Sequence, residues 1–188
     1  MSLINVSNLT FACEGSSENI FEDVSFQIDT NWKLGFIGRN GSGKSSILRL
    51  ICGENIEYEG NFSKGSGIVI SFVPQDTSFL KGNLSEYAKN SNIDESIFKA
   101  ILRKLDFSRE QFDKNIENFS GGQKKKVLIT KSLCEKAHIY IWDEPLNFID
   151  VISRMQIERL IREFEPTLFF VEHDRAFCEN VGNKKIIL

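Results

Sequence analysis

Apolar and polar residues alternate in two stretches near the N-terminus, which is the pattern of β-strands with one buried face. The first stretch covers residues 3–11 and the second residues 20–28, and the apolar positions of the first are Ile4, Val6, Leu9 and Phe11. Residues 12–19 between them are polar and contain glycine, which predicts a turn. We therefore expect the two strands to pair and to form an antiparallel β part over about residues 1–30.

Further along the chain, short runs that are almost wholly apolar predict buried strands. These runs are residues 33–37, 68–73, 138–142, 167–171 and 185–188. Segments with helical character lie between them, at residues 46–52, 121–136, 152–164 and 174–178. Buried strands that alternate with helices indicate an α/β fold with a mainly parallel core sheet and flanking helices.

The middle of the chain has a different pattern. Residues 75–118 carry apolar side chains at helical spacing, separated by serines, aspartates and glycine; these are Leu84, Tyr87, Ala88, Ile93, Ile97, Ala100, Ile101 and Leu105. The pattern predicts a small helical subdomain over about residues 76–120. A chain of 188 residues is long enough for one sizeable core. We therefore interpret residues 1–188 as a single domain.

Composition narrows the class of protein. The chain is 41% hydrophobic and 26% charged, with a formal net charge of −3, so it has no global electrostatic footprint for nucleic acid. Cys13, Cys52, Cys134 and Cys178 lie far apart and are typical of reduced thiols in a cytoplasmic protein. We expect no direct membrane insertion, because no apolar run approaches the ~20 residues that span a bilayer.

A glycine-rich loop lies between the strand at residues 33–37 and the helix at residues 46–52. It fits the phosphate-binding pattern G-x-x-x-x-G-K-[ST], followed by Ser46, and consists of Gly38, Arg39, Asn40, Gly41, Ser42, Gly43, Lys44 and Ser45. Glycines let backbone N–H groups face phosphate oxygens, and the helix N-terminus adds partial positive charge. Lys44 is expected to reach the β- and γ-phosphates of ATP, and Ser45 to bind Mg²⁺. A chance glycine turn is the alternative.

An acidic pair follows the strand at residues 139–142. Asp143 suits the coordination sphere of Mg²⁺, since hard cations prefer oxygen ligands. Glu144 is then placed to polarise the attacking water. Acidic residues that only solubilise a strand end are the alternative interpretation.

A second candidate anion site precedes the helix at residues 121–136. Ser120, Gly121, Gly122 and Gln123 place a hydroxyl and two glycines at a helix N-terminus. A glycine-rich helix start without a ligand would have the same pattern, and these residues alone leave both interpretations open.

The order of these motifs resembles the ATP-binding cassette (ABC) ATPases, and the resemblance covers essentially the whole chain. It implies ATP hydrolysis in a site that a second cassette completes, because residues 120–123 would bind the γ-phosphate held on the partner. Gln75 looks like the family's ligand that senses Mg²⁺ and the attacking water. Asp150 looks like the aspartate at the dimer interface, and His173 like the histidine that contacts the γ-phosphate.

Two positions depart from the family pattern. Cys13 stands where the family usually places an aromatic residue against the adenine ring, which puts adenine stacking in doubt. Phe119 replaces the more usual leucine before residues 120–123, and we interpret it as a tolerated apolar exchange.

The amino-acid sequences of two segments are similar to motifs of the ABC-F subfamily. Residues 143–150 resemble its D-E-P-T-N-H-L-D stretch, and residues 172–177 its S-H-D-R-Y-F stretch. The resemblance implies the first of two cassettes in a protein that acts on the ribosome, as a translation factor or in antibiotic resistance, and residues 30–35 are similar to the resistance branch. The subunit of a membrane transporter is the alternative. The basic residues 124–126 could contact RNA or form a solvated helix face.

Overall fold

The N-terminal stretches form two long antiparallel strands, β1 (Ser2–Ala12) and β2 (Asn19–Asp29). The structure is a computed structural model that describes residues 2–12, 19–38 and 41–187. A further strand, β4 (Glu59–Lys64), pairs with the other edge of β1, so this sheet has the order β2-β1-β4. The antiparallel sheet thus extends beyond the predicted residues 1–30.

A five-stranded sheet forms the centre of the chain, and all of its pairings are parallel. Its strands have the order β5-β6-β7-β3-β8. They are β3 (Lys33–Ile37), β5 (Ile70–Val73), β6 (Ile139–Asp143), β7 (Leu168–Val171) and β8 (Lys184–Ile187). All four residues of β7 are buried, as expected of a parallel strand with both faces covered. The predicted mainly parallel α/β fold is confirmed.

Helices connect these strands. The core helices are α1 (Lys44–Cys52), α5 (Gly121–Cys134), α6 (Val151–Phe164) and α7 (Arg175–Val181). The central insert contains α2 (Leu84–Asn90), α3 (Glu95–Lys104), the short α4 (Arg109–Phe112) and a 3₁₀ turn (Ile116–Asn118). Asn83 and Asp94 cap α2 and α3, because their side chains accept hydrogen bonds from Glu86 N and Ile97 N.

Two hydrophobic clusters cover the two faces of the parallel sheet. Phe170 and Trp142 belong to the cluster that the helical insert and α5 complete. Phe169 and Ile141, their neighbours along the strands, belong to the cluster under α1 and the antiparallel sheet. Successive side chains of a strand point to opposite faces, so a single apolar run such as β7 supplies both cores.

The basic residues 124–126 do not form an exposed patch. Lys125 is completely buried, and Lys126 donates a hydrogen bond to the Leu105 carbonyl oxygen at 3.0 Å. Lys125 therefore neither belongs to a solvated helix face nor is available to contact RNA, because a fully buried lysine is paired inside the fold.

The cysteines of the described residues are free thiols, as the sequence predicts. Burial raises the pKa of Cys52, Cys134 and Cys178 to about 11 in each case, so these groups are poor nucleophiles at neutral pH. The predictions for Cys13, Arg39 and Asn40 lie outside the described residues. In the described part of the chain, no helix is long and apolar enough to cross a membrane.

Candidate active site

The glycine-rich loop joins β3 to α1, as the motif predicts. Lys44 is the first residue of α1, and its ammonium group donates a hydrogen bond to the Gly38 carbonyl oxygen at 2.8 Å. Lys44 is buried. Burial lowers the pKa of Lys44, while the carboxyl groups of Glu144 and Asp143 raise it. Lys44 therefore lies at the end of the glycine-rich loop, where it experiences the negative charge of both predicted carboxylates.

Two glycines of this loop have left-handed backbone conformations, with φ of +82° at Gly41 and +81° at Gly43. A Cβ at Gly43 would lie 2.5 Å from the Phe21 ring, which is buried and stacks on Phe11. A Cβ at Gly41 would meet no atom of the described residues within 4 Å. The second glycine is thus required by tertiary packing as well as by backbone geometry.

We expect Gly43→Ala to destabilise the fold more than its matched control, Gly41→Ala. Both variants incur about 1–2 kcal/mol of left-handed strain, and the clash at Gly43 adds about 1–3 kcal/mol of overpacking. Urea unfolding of the two variants and the parent measures the difference. Equal free energies of unfolding for both variants would contradict the packing role assigned to Gly43.

The loop serines differ in their surroundings. The Ser42 hydroxyl is buried and has no hydrogen-bond partner among the residues that the structure describes. Ser45 is exposed and Ser46 is half-buried. A buried hydroxyl is normally satisfied by a polar partner, and a water molecule or a phosphate oxygen at this loop would provide one.

The acidic pair lies at the carboxyl end of β6, beside the loop. Asp143 is 8% exposed, and burial, followed by the charge of Glu144, raises its pKa to about 6. Glu144 has φ of +47°, and its backbone N–H donates to the Val171 carbonyl oxygen at 3.0 Å. A non-glycine residue in the left-handed region is under local strain of the kind found at functional sites. The strand β6 therefore ends in a left-handed turn at Glu144.

Gln75, Glu144 and His173 converge at one place. The Gln75 side-chain amide donates to Glu144 Oε2 at 2.8 Å, and His173 Nε2 lies 3.6 Å from Glu144 Oε1. These residues follow β5, β6 and β7, which are adjacent in the sheet. The carboxyl ends of parallel strands meet at one edge, where ligands of open α/β sheets bind. Three motifs that are far apart in the sequence therefore form one cluster.

Sequence reasoning missed Glu172, which organises the two turns beside this cluster. Its buried carboxylate accepts hydrogen bonds from Leu146 N at 3.1 Å, His173 N at 2.8 Å and Asp174 N at 3.3 Å. It ties the turn after Glu144 to the turn that carries His173. An acidic residue directly after a wholly apolar strand was the available signal, because the same pattern had pointed to the acidic pair.

Residues 120–123 form the N-terminus of α5 with a reciprocal capping box. Ser120 Oγ accepts from Gln123 N at 3.2 Å, and Gln123 Oε1 accepts from Ser120 N at 2.9 Å. A Cβ at Gly122 would lie 2.5 Å from the Phe148 carbonyl oxygen, and one at Gly121 would lie 3.1 Å from the Phe148 ring. The two glycines are therefore needed for close packing on the turn before α6.

Asp150 caps the N-terminus of α6. Its carboxylate accepts hydrogen bonds from Ser153 N at 2.9 Å and from Ser153 Oγ at 2.6 Å, and these bonds lower its pKa. Asp150 also lines an open pocket of about 300 Å³, together with Glu144 and His173. The structure thus places Asp150 on the same concave surface as the cluster.

A comparison with protein families matches residues 21–147 to the family described as ABC transporter. This chain belongs to the ABC transporter family. It is the family's ATP-binding cassette, and ATP hydrolysis is the general activity of such domains.

The relatives of this cassette include three bacterial proteins of greater length. It is 30% identical over 97% of its length to "ATP-binding protein Uup" of Buchnera aphidicola. It is 29% identical over 98% to "Ribosome protection protein VmlR" of Bacillus subtilis, and 28% identical over 87% to "Energy-dependent translational throttle protein EttA" of Haemophilus influenzae. The matches cover 32%, 34% and 37% of those proteins. The cassette thus spans about a third of their length.

A solved structure supports the fold of the cassette. A bacterial Atm1-family ABC exporter with ATP bound matches 98% of this chain and 36% of its own chain, with a TM-score of 0.83 and 18% identity. At that identity the likeness establishes the fold alone.

The residues of the cassette fit a magnesium ion that is shared with a nucleotide. No group of three or more His, Cys, Asp or Glu side chains could hold a metal ion within the described ranges. Mg²⁺ is usually held by one or two carboxylates, phosphate oxygens and water. Asp143 supplies a carboxyl whose pKa is raised by burial and by the charge of Glu144, a cost that a bound cation would offset, and Ser45 lies exposed at the start of α1.

Proposed function

We propose that Glu144 is the carboxylate that orients and polarises water for ATP hydrolysis in this cassette. The single observation that supports this assignment is the convergence of Gln75 and His173 on its two carboxylate oxygens. A carboxylate that accepts a hydrogen bond from an amide and lies beside an imidazole is restricted in direction, which favours in-line attack on a bound γ-phosphate.

The neighbouring residues would bind the nucleotide. Lys44 and the backbone of the loop would hold the β- and γ-phosphates, with Ser42, Ser45 and Ser46 as hydroxyl donors or ligands. Asp143, Ser45 and the Gln75 side chain would hold Mg²⁺, which supplies charge neutralisation on the transferred phosphoryl group. His173 would contact the γ-phosphate.

A second cassette would complete the site. Ser120 to Gln123 would then serve the nucleotide of the partner, and Asp150 would lie at the interface between the two. The N-terminus of α5 fits an anion because its backbone N–H groups carry partial positive charge. The isolated cassette is expected to bind ATP and to turn it over slowly.

At the level of biology, we propose that this is the first cassette of an ABC-F protein that acts on the ribosome in the cytoplasm. The names of two relatives refer to ribosome protection and to translation, and the wording of residues 143–150 and 172–177 agrees with that subfamily. The cassette's share of about a third of their length leaves room for a second cassette. A translation factor and a resistance factor are both compatible with this proposal.

Co-sedimentation with ribosomes tests the proposal. The full-length protein that carries Glu144→Gln is expected to sediment with ribosomes in the presence of ATP, because slow hydrolysis keeps the ATP-bound form. The Glu144→Gln protein with ADP is expected to remain in the supernatant. The double variant Lys44→Met/Glu144→Gln with ATP is expected to remain there as well. Equal sedimentation under all three conditions would contradict the proposal, and copurification with a multispanning membrane protein would favour the transporter alternative.

A further inference from the structure

Lys125 is a fully buried lysine whose role the assigned motifs do not explain. Its side chain is 0% exposed, and its ammonium group donates to the Pro74 carbonyl oxygen at 2.9 Å and to the Gln75 carbonyl oxygen at 3.2 Å. A lysine is almost never fully buried unless it is paired, since burial of a charge costs several kcal/mol. The partners of Lys125 are these two backbone carbonyl groups, which lie beyond the end of β5.

The surrounding charges favour the ammonium form. Burial lowers the pKa of Lys125, while Asp143, Glu144, Glu172 and Asp76 raise it. The buried lysine is therefore a positive charge within the electrostatic range of the carboxylates of the candidate site. Among the described residues, its ammonium group donates to the turn that carries Gln75 rather than to these carboxylates.

The position of Lys125 joins two motifs. It belongs to α5, which begins directly after Ser120. Its bonds end at the backbone of Gln75, whose side chain donates to Glu144 at 2.8 Å. One buried side chain thus connects the helix that would serve a partner's nucleotide with the glutamine that would serve this cassette's own.

We propose that Lys125 is a positioning residue for ATP hydrolysis: it clamps the Gln75 backbone against α5 so that the Gln75 amide stays directed at Glu144. This inference rests on the hydrolytic function proposed above. Two ammonium–carbonyl bonds restrict the turn at residues 74 and 75, which follows the last residue of β5, Val73. Without the clamp the turn can move, and Glu144 loses the amide that holds one of its oxygens.

Lys125→Met tests the clamp, because methionine fills similar volume without charge or donors. We expect kcat at saturating ATP to fall about tenfold, the equivalent of about 1.4 kcal/mol, and the dissociation constant for ATP to stay within about twofold. Lys126→Met is the matched control, since Lys126 is the next residue of α5 but bonds to Leu105 in the helical insert. Its kcat is expected to match the parent.

A double-mutant cycle separates positioning from general stabilisation. If Lys125 acts through the Gln75 side chain, Lys125→Met should lower kcat little further in a Gln75→Ala background. A full tenfold loss in both backgrounds would overturn the inference, and so would a parent-like kcat in Lys125→Met alone. Single-turnover measurement at high protein concentration keeps the low rates of the Gln75→Ala proteins in range.

A second variant protects the test against misfolding. Lys125→Gln keeps an amide donor for one carbonyl and should retain more activity than Lys125→Met. If the methionine variant unfolds, the glutamine variant, which also lacks the charge, decides the test. A parent-like kcat in this folded variant overturns the inference. A reduced kcat at unchanged ATP affinity supports it. If the proposed hydrolytic function is wrong, the parent protein itself will fail to bind or hydrolyse ATP. A failure of this inference appears only in the variants.

Discussion

Glu144→Gln is expected to lower kcat for ATP hydrolysis by about 10²–10⁴-fold, the range of a lost general base. The amide keeps the size of the carboxylate and can still accept the hydrogen bond from Gln75, but it cannot take a proton from water. The affinity for ATP should stay within a few-fold of the parent, because the loop and Lys44 are untouched. Phosphate release and an ATP-binding titration measure the two quantities separately.

The matched control for this experiment is Glu163→Gln. Glu163 lies on α6 in an exposed ion pair with Lys104, so its neutralisation changes the net charge equally but leaves the site intact. The control should hydrolyse ATP like the parent. Parent-like turnover in Glu144→Gln would instead remove Glu144 as the catalytic carboxylate and leave Asp143 as the next candidate.

Lys44→Met is expected to weaken ATP binding by about 10–100-fold, because a charge-assisted hydrogen bond contributes about 1.5–3 kcal/mol. Lys44 experiences the negative charge of Glu144 and Asp143. Without it, these two carboxylates would repel the phosphates, and the compensating charge of Lys44 would be gone. The fold should survive, because methionine matches the buried stem of the lysine and removes a charge that burial disfavours. Titration with a fluorescent ATP analogue measures the affinity.

Lys81→Met provides the control for Lys44→Met, since Lys81 is exposed in the helical insert. Both variants lose one positive charge, so a comparison between them cancels the change in net charge. Thermal unfolding of each variant separates lost binding from lost structure. Unchanged affinity in a folded Lys44→Met protein would mean that ATP does not bind at the glycine-rich loop.

Local signals account for the parts of the fold that were predicted well. Runs such as residues 167–171 are apolar on both sides of the pleat, and the apolar residues of the insert recur at helical spacing. The weaker strand β4 (Glu59–Lys64) has mostly exposed residues. Its pairing with β1 depends on contacts between distant segments, so the sequence pattern placed the antiparallel part only at about residues 1–30.

The candidate site shows the same division. Local motifs pointed to Lys44 and Glu144, and the resemblance to the ABC ATPases pointed to Gln75 and His173. Their distances could not be read from the sequence, because they depend on the strand order β5-β6-β7-β3-β8. Adjacent strands in the sheet are separated by whole helices in the chain.

By itself, the sequence determined the class of this protein: a parallel α/β sheet, a phosphate-binding loop and an acidic strand end are encoded in short-range patterns that need no partner. Only the tertiary structure decided that Lys125 lies inside the fold rather than on a basic face, and that Glu172 holds two turns together. The physical reason is that a charged residue in a local pattern is ordinarily solvated. The Pro74 and Gln75 carbonyls that bind Lys125, and the Leu146 N–H that binds Glu172, come from distant segments and reach these side chains only when the sheet has formed.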